Sequence, residues 1–367
     1  MKAIAIIPGL TTLSAVERPE PQLLTTDDIK LKVIRVGICG TDREEAVGGR
    51  ALLPSDQRDL VIGHEMFGQV VQVGTSVTHV KYGDFAIFTV RRGCGKCRPC
   101  AVNRSDMCRT GEYLERGIWG ADGFQAEYVV DKEQYVVRIP EELAAVGVLT
   151  EPMSVAEKAI EEVLRVQAAR LPDLRDTTEW IKGQPCLVAG LGPIGLLAAL
   201  ILRLRGAKVF GLDIVDESSP RARWLEGIGG QYIDARKIPG GKVKDSIGKM
   251  EIIFEATGIP SLEFSLLDAL ALDGAYVLSG IPGGDRPIEV HGAKIISRLV
   301  LGNQIMLGSV NASSNHYQMA VEDLLSAQRQ WGSHIATLIT HHYPFTEFTA
   351  AVMNHDDHDI KVVLEWQ

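Results

Sequence analysis

Short apolar runs separated by glycine and proline residues are typical of roughly the first 140 residues of the chain. Runs of this length, bounded by turn-forming residues, predict β-strands. The clearest examples are Lys30–Val36, Val70–Val73, Phe85–Val90 and Tyr128–Val130. The first part of the sequence therefore predicts a β-rich domain.

The spacing of apolar positions changes at Glu151. Over Glu151–Ala169 they recur at nearly helical intervals with charged residues between them, which predicts an amphipathic helix. The polar, irregular stretch Leu171–Gly183 indicates a boundary. Apolar strands and helical stretches then alternate, which predicts a parallel sheet covered on both faces. The predicted elements are the strands Pro185–Ala189, Lys208–Leu212, Ile252–Ala256 and Ala275–Ser279 and the helix Pro193–Leu204.

The segment after Asn311 contains one more predicted helix, His316–Gln328, and a last strand, Ile360–Trp366. These two elements fit a return to the first domain better than a third domain. We therefore predict an α/β protein with a β-rich domain over residues 1–184, completed by 312–367, and a parallel-sheet domain over 185–311.

Composition and charge exclude several classes of protein. The 367 residues are too many for one compact core, which favours two domains. The net charge is −9, from 38 basic and 47 acidic residues, and the absence of a basic patch argues against nucleic acid as a partner. No apolar run approaches the roughly 20 residues that span a bilayer, and the start MKAIAIIPGL does not resemble a secretory signal. We expect a cytoplasmic protein without a membrane partner.

A glycine-rich loop follows the predicted strand Pro185–Ala189. It contains Gly190, Gly192 and Gly195 in the spacing GxGxxG and opens the predicted helix. This order is typical of a dinucleotide site: the first glycine permits a tight turn, the second lets the backbone approach a pyrophosphate, and the third allows close helix packing. A glycine turn in some other α/β protein is the alternative.

An acidic residue, Asp213, ends the next predicted strand, where this fingerprint places an acid for the ribose 2′-hydroxyl. A carboxylate there binds a ribose diol and repels a 2′-phosphate. The next basic residues along the chain, Arg221 and Arg223, are several positions away. The sequence therefore predicts NAD as the preferred cofactor and NADP as a less favoured one. A solvated acid at a strand end is the alternative.

Four of the six cysteines are crowded into one short stretch. Cys94, Cys97 and Cys100 have the spacing CxxCxxC, and Cys108 follows. Four thiolates around one zinc form a closed tetrahedral site of the structural kind. Disulfides are the alternative, although a chain without an export signal favours a metal. An iron–sulfur cluster is a further alternative.

A second metal site requires residues that are distant in sequence. Cys39 lies in GICGTD, and His64 and Glu65 lie in GHE, so flanking glycines let these side chains project from turns. Three protein ligands with one open position are typical of a catalytic zinc. Singly, a cysteine is often a small buried apolar residue, a histidine is often a hydrogen-bonded polar group, and Glu65 could orient a ligand without binding the metal.

These motifs together resemble those of the zinc-containing medium-chain alcohol dehydrogenases. The glucose 1-dehydrogenase branch typical of archaea is similar in further stretches: VGICGTDRE, VRRGCGKC, TGEYLERGIWGADGF, TEPMSVAEKAIEEVL, FEATG and GSVN. The resemblance extends over essentially the whole chain. It implies a GroES-like catalytic domain split in sequence around a Rossmann domain, two zinc ions per chain, and a homodimer or homotetramer.

The resemblance also implies roles for individual residues. It places Thr41 beside the substrate oxygen, in the proton path, and Glu115 and Asn311 on sugar hydroxyls. The catalytic zinc would be held by Cys39, His64, Glu65 and Glu151, the last directly or through water and close to the substrate. The structural zinc would be held by Cys94, Cys97, Cys100 and Cys108. The expected cofactor contacts are Gly190, Gly192, Pro193, Ile194, Gly195, Asp213, Thr257 and Asn311.

The chain departs from the family pattern at a few positions. Val90 and Leu301 stand where some relatives place polar sugar-binding groups. No histidine follows GICGTD, so the proton relay of liver-type alcohol dehydrogenases is absent there, and Glu44 and Glu45 occupy that place.

The sequence therefore predicts a zinc-dependent oxidoreductase that oxidises an aldose, glucose or a close analogue, at C1 to the lactone, with hydride transfer to NAD(P). Zinc favours hydride transfer because it lowers the pKa of a bound oxygen. A zinc dehydrogenase of another alcohol or polyol is one alternative. A non-catalytic dinucleotide or redox-sensing module is another, against which the set of Cys39, His64 and a carboxylate argues.

Overall fold

The computed structural model describes residues 1–171, 177–284, 287–356 and 358–367. The strands in chain order are β1 (Lys2–Ile6), β2 (Ser14–Glu17), β3 (Asp28–Ile38), β4 (Leu60–Val61), β5 (Glu65–Val73), β6 (Phe85–Phe88), β7 (Arg91–Arg92), β8 (Leu114–Arg116), β9 (Gly120–Ala121), β10 (Tyr128–Lys132), β11 (Val136–Ile139), β12 (Pro185–Ala189), β13 (Lys208–Asp213), β14 (Gln231–Asp234), β15 (Met250–Glu255), β16 (Leu270–Leu278), β17 (Ile305–Gly308), β18 (Ile339–Pro344) and β19 (Lys361–Glu365).

The α-helices are α1 (Gly40–Ala46), α2 (Thr150–Arg170), α3 (Thr177–Ile181), α4 (Pro193–Leu204), α5 (Pro220–Gly227), α6 (Val243–Ile247), α7 (Pro260–Leu266), α8 (Gly292–Leu301), α9 (Ser314–Trp331) and α10 (Phe348–Met353). Among the described residues, no helix combines the length and the apolar character needed to cross a membrane.

Two compact units make up the chain. The first contains Met1–Ser154, Asn311–Leu325 and Ile335–Gln367, and the second contains Val155–Val310 and Ser326–His334. The division falls within α2, whereas the sequence predicted a boundary at residues 184 and 185. Of the predicted irregular stretch Leu171–Gly183, residues 172–176 lie outside the described residues, and α3 follows them.

Strand pairing in the first unit is mostly antiparallel, although β18 and β19 pair in parallel, as do β8 and β9. The largest sheet of this unit has the order β11-β6-β5-β3-β19-β18, with β10 also paired to β3. The long strand β3 lies between β5 and the C-terminal strand β19, so the C-terminal segment completes a sheet formed by earlier strands of the same unit. Two smaller sheets have the orders β2-β1-β4 and β7-β8-β9. The carboxyl end of β3 and the start of β5 are neighbours, because Gly37 pairs with Glu65.

The second unit contains a parallel sheet of six strands in the order β14-β13-β12-β15-β16-β17. Counted from its first strand, this is the order 3-2-1-4-5-6 of a doubly wound dinucleotide-binding fold. The central strand β12 is almost wholly buried, as expected for a parallel sheet covered on both faces. The two units confirm the predicted α/β class.

Most elements lie where the apolar pattern predicted them, and β12 and α4 have the predicted bounds. The predicted strand Phe85–Val90 ends earlier, at Phe88, because the next two amides leave the sheet ladder. The Thr89 N–H donates to the Tyr135 carbonyl, and the Val90 N–H donates to the Tyr317 hydroxyl. The short strands β14 and β17 were not predicted.

Candidate functional site

Cys39 occupies the junction between β3 and α1, where it is the residue that caps the helix. The strand is buried and antiparallel up to Ile38, and the short helix begins at Gly40. The backbone N–H of Cys39 donates to Oδ2 of Asp42 at 2.7 Å, which satisfies one amide that the helix leaves free. The Sγ atom of Cys39 lies 4.0 Å from Oγ1 of Thr41. Cys39 and Thr41 thus lie side by side.

His64 and Glu65 stand at the beginning of β5, across from the end of β3. Gly37 of β3 faces Glu65 directly, and a side chain at position 37 would clash with the Glu65 carboxylate. The glycine therefore leaves room for that carboxylate above the strand. The ligand atoms of Cys39, His64 and Glu65 all lie within 4.8 Å of one another. Residues that are about 25 positions apart in sequence thus converge at one point.

The converging side chains of His64 and Glu65 are buried although they are polar. His64 is 5% exposed and Glu65 1%. The Nδ1 atom of His64 has no hydrogen-bond partner among the described residues, and the nearest acidic oxygen, Oδ1 of Asp42, is 3.7 Å away. Buried polar atoms are nearly always satisfied in folded proteins, and a bound water or ion is one partner that could satisfy this nitrogen.

Lys361 of β19 contacts Glu65, and sequence reasoning did not identify it. Its Nζ atom donates to both carboxylate oxygens of Glu65, at 2.7 and 2.6 Å, and to the Ile38 carbonyl. Burial disfavours the charged amine, but Glu65, Cys39 and Glu151 together outweigh this and hold the pKa of Lys361 above its ordinary value. A lysine within the apolar strand Ile360–Trp366 was the signal that could have revealed it.

Glu151 lies in the first turn of α2 and is 9% exposed. Burial raises the pKa of its carboxyl to about 7, and the Glu65 carboxylate contributes in the same direction. Among the described residues, the group within 4.8 Å contains Cys39, His64 and Glu65 but not Glu151. The structure therefore brings Glu151 into electrostatic range of the group without placing it among the closest atoms.

The other four predicted ligands form a second cluster. The Sγ atoms of Cys94, Cys97, Cys100 and Cys108 lie within 4.8 Å of one another, and all are free thiols. A hydrogen bond with the Thr110 hydroxyl, at 3.4 Å, lowers the pKa of Cys108 to about 6. Burial raises the pKa of Cys100 to about 12. The four thiols are thus arranged as a compact set rather than as disulfide pairs.

The glycine-rich loop lies between β12 and α4, with Gly192 as the capping residue and Pro193 in the first turn of the helix, ahead of Ile194. A side chain at Gly195 would clash with the Gly190 carbonyl, so close packing requires glycine there. Asp213 ends β13, and its carboxylate accepts hydrogen bonds from the N–H groups of Leu191 and Ile214, each at 2.6 Å. The acid is therefore anchored to the loop.

Two further residues lie near the carboxyl ends of the sheet strands, Thr257 beside the glycine-rich loop and Arg236 beside the loop after β13. Thr257 follows β15, and its Cγ2 atom would lie 2.8 Å from a Cβ on Gly190, so it packs beside the loop. Arg236 follows β14, which pairs with β13. Its guanidinium contacts both Asp234 oxygens at 2.8 Å and the Val215 carbonyl at 3.3 Å. Sequence reasoning missed Arg236, because it considered only the first basic residues after Asp213, which are Arg221 and Arg223.

Glu115 and Asn311 contact each other in the first unit. The Nδ2 atom of Asn311 donates to Oε1 of Glu115 at 2.6 Å, and Arg91 donates to the same oxygen. Asn311 has a left-handed backbone with φ of +63°. Asparagine tolerates this conformation better than most residues. Asn311 thus combines a left-handed backbone conformation with a side-chain contact to Glu115. Arg91 was not predicted.

Comparison with known proteins is consistent with this fold and these clusters. Residues 25–141 match the family described as alcohol dehydrogenase GroES-like domain, and residues 144–366 match the family described as glucose dehydrogenase C-terminus. The chain is 37% identical to glucose 1-dehydrogenase 2 of Vulcanisaeta moutnovskia, with 100% of this chain and 99% of the relative covered. It is also 37% identical to glucose 1-dehydrogenase of Thermoproteus tenax, with both chains fully covered.

Solved structures of other dehydrogenases are similar to this chain in fold. Haloferax mediterranei glucose dehydrogenase, solved in complex with NADP, Zn and gluconolactone, is 32% identical with a TM-score of 0.89, covering 100% of this chain and 99% of that one. Galactitol-1-phosphate dehydrogenase of Escherichia coli, at 21% identity and a TM-score of 0.81 with both chains fully covered, shares the fold. The GroES-like and Rossmann folds and the site motifs thus define a zinc-containing medium-chain dehydrogenase. Within that superfamily the chain belongs to the glucose 1-dehydrogenase family, which confirms the resemblance predicted from the sequence.

Proposed function

We propose that this protein oxidises glucose or a close aldose at C1 to the lactone and transfers the hydride to a nicotinamide dinucleotide. The observation that carries the proposal is the convergence of Cys39, His64 and Glu65 within 4.8 Å in a chain of this family. The gluconolactone in the Haloferax mediterranei structure is the product expected of this reaction.

The residues fit two zinc ions. Four neighbouring thiols suit a closed structural site, held by Cys94, Cys97, Cys100 and Cys108. A thiol, an imidazole with an unsatisfied buried nitrogen and a carboxylate suit a catalytic site, held by Cys39, His64 and Glu65. Zinc at the catalytic site supplies Lewis acidity, and the dinucleotide supplies the hydride acceptor.

The protein groups position the substrate and accept its proton. Lys361 orients the Glu65 carboxylate and compensates its charge. Glu151, with a pKa of about 7, takes up the proton of the sugar C1 hydroxyl directly or through water, because a base with a pKa near the working pH transfers protons efficiently. Thr41, beside Cys39, lies in the path of that proton. The position of Glu151 outside the closest ligand group favours its contact with a metal through water.

Sugar recognition rests on Glu115 and Asn311. A carboxylate and an amide suit a substrate rich in hydroxyls, since each hydroxyl that is missing leaves a buried polar group unpaired. Their mutual hydrogen bond at 2.6 Å orients both groups. An aldose is therefore favoured over a short alcohol, which offers one hydroxyl.

NAD is the preferred cofactor and NADP a weaker one. Asp213 supports this preference, because its carboxylate repels a 2′-phosphate and is anchored to the loop by two N–H groups. Arg236 favours some use of NADP, because it brings a cation to the neighbouring strand end. The loop glycines, Pro193, Ile194 and Thr257 contact the remainder of the dinucleotide.

The protein assembles as a homo-oligomer through the second unit. Strand β17 lies at the edge of the six-stranded sheet. None of the described residues of helix α8, which precedes this strand, is buried. Ile296 is 63% exposed and Val300 69%, four positions apart on this helix. A second copy related by twofold symmetry would cover both the edge and the helix.

The test is a panel of rates of NADH or NADPH formation. Glucose, galactose and xylose are compared with ethanol and sorbitol, each with NAD and with NADP, and zinc is counted per chain. We expect aldose oxidation and two zinc ions per chain. Turnover of polyols or short alcohols without any aldose turnover would contradict the proposed substrate.

Two cysteine variants serve as a matched pair. Cys39→Ser should lose one zinc and the activity together, whereas Cys186→Ala, which removes a thiol buried in β12, should keep both zinc ions and the activity. Equal loss of activity in the two variants would indicate a folding defect rather than a metal site.

A further inference from the structure

Oε1 of Glu115 accepts three hydrogen bonds. Arg91 donates from Nε at 3.1 Å and from Nη2 at 2.7 Å, and Asn311 donates from Nδ2 at 2.6 Å. The other carboxylate oxygen, Oε2, accepts none from the described residues, and it is not among the buried unsatisfied atoms. The two oxygens are thus differentiated: one is held by the protein, and the other is open to a ligand.

Arg91 also reaches the four-cysteine segment. Its Nη1 atom donates to the Asp106 carbonyl at 3.3 Å, and Asp106 precedes Cys108 by two residues. The guanidinium carbon lies 3.9 Å from the centre of the Tyr113 ring. The side chain is 9% exposed, and Arg91 pairs directly with Glu115 in the β7–β8 ladder. One buried guanidinium therefore connects the cysteine segment with the candidate sugar-binding carboxylate.

We infer that Arg91 is a positioning residue for sugar selectivity, which holds Glu115 so that Oε2 accepts one defined sugar hydroxyl, and that it ties this geometry to the four-cysteine segment. The inference rests on the proposed function and deepens it. Lysine cannot replace the arginine, because a planar fork donates in several fixed directions, whereas an ammonium is a point donor. Arg91 acts through Glu115 and need not touch the substrate.

A charged acceptor discriminates strongly between a hydroxyl and a hydrogen. A hydrogen bond to a charged group corresponds to about a 10- to 100-fold preference for the sugar that carries the hydroxyl. Deleting sugar hydroxyls one at a time therefore identifies the hydroxyl whose penalty depends on Glu115, whereas a general loss of stability affects all the analogues alike.

The experiment measures kcat and KM for glucose and for its 2-, 3-, 4- and 6-deoxy analogues. The variants are Arg91→Lys, Glu115→Gln and the double variant, with zinc content and Tm recorded for each. We expect one deoxy analogue to be penalised about 10- to 100-fold in the wild type, mainly in KM. Both single variants should reduce that same penalty. The double variant should reduce it no further than Glu115→Gln does alone.

Arg92→Lys is the matched control. Arg92 also contacts a carboxylate, Asp131, at 2.6 Å and stacks over a tyrosine, Tyr135, at 3.8 Å, but it does not contact Glu115. Arg92→Lys should lower Tm about as much as Arg91→Lys does. It should leave the penalties for the deoxy analogues unchanged. If Arg91→Lys does not fold, Asn311→Ala, which removes another donor to Oε1, should reduce the same penalty.

The outcomes separate the two proposals. A wild-type enzyme that oxidises no aldose overturns the proposed function and this inference with it. A wild-type enzyme that oxidises aldoses overturns the inference alone if Arg91→Lys lowers all rates equally, if the deoxy penalty is unchanged, or if the two substitutions act additively.

Discussion

Glu45 is a buried carboxyl in the last turn of α1. It is 1% exposed, and neither of its oxygens has a hydrogen-bond partner among the described residues. Burial raises its pKa to about 9, and the neighbouring Asp42 contributes in the same direction. Because the folded-state pKa lies above the unfolded value, the stability from this group is present at low pH and is lost as the pH rises toward 9.

Glu45→Gln should therefore flatten the pH dependence of stability. A neutral amide avoids the cost of ionising a buried group, so the variant should gain about 1–3 kcal/mol over the wild type at pH 9 and less at pH 6. Tm measured at both pH values checks this. Glu44→Gln, at an exposed neighbouring position, is the control and should leave Tm unchanged at both pH values. Parallel pH profiles for wild type and Glu45→Gln would refute the assignment.

At the scale of elements, the order of the strands determines which charged side chains come into contact. Lys361 belongs to β19 and Glu65 to β5, and both flank β3. Their ion pair is 2% exposed on each side. Removing one partner of a buried pair leaves an uncompensated charge, whereas removing both does not.

Lys361→Met should destabilise the fold by about 3–5 kcal/mol. The double variant Lys361→Met/Glu65→Gln should recover much of this loss, because no buried charge is left. Denaturant unfolding of the wild type, Lys361→Met, Glu65→Gln and the double variant, all without zinc, measures the coupling. Additive losses would show that the pair does not act as a unit.

The adjacent ends of β13 and β14 decide cofactor choice at the same scale. Asp213→Asn should raise the NADP-to-NAD ratio of kcat/KM about tenfold, because the charge that repels a 2′-phosphate is removed. Arg236→Gln should lower the ratio. Glu226→Gln, which changes an exposed acid of α5, is the control. An unchanged ratio in Asp213→Asn would contradict the role given to that carboxylate.

At the scale of the whole molecule, the exposed face of α8 and the edge strand β17 predict assembly. Ile296→Glu and Val300→Glu should dissociate the oligomer, since they place charges on the face that a second copy covers. Light scattering after size-exclusion chromatography measures the mass. Leu24→Glu, at a residue that is 88% exposed in the first unit, should leave the mass unchanged. A wild-type protein that is monomeric at micromolar concentration would exclude this assembly.

The sequence by itself determined the features that depend on short-range geometry. The strand–loop–helix with Gly190, Gly192 and Gly195, the clustering of Cys94 to Cys108, and the boundaries of β12 and α4 all follow from the spacing of nearby residues. Turn conformation and helical or alternating periodicity are local properties, so a single sequence reveals them.

Only the tertiary structure decided the partners that lie far apart along the chain. Lys361 is 296 residues from Glu65, and Asn311 is 196 residues from Glu115. Arg236 reaches the loop after Asp213 because β14 pairs with β13, and Arg91 reaches Glu115 through the β7–β8 ladder. Such contacts depend on strand order and register, and no local pattern of residues specifies them.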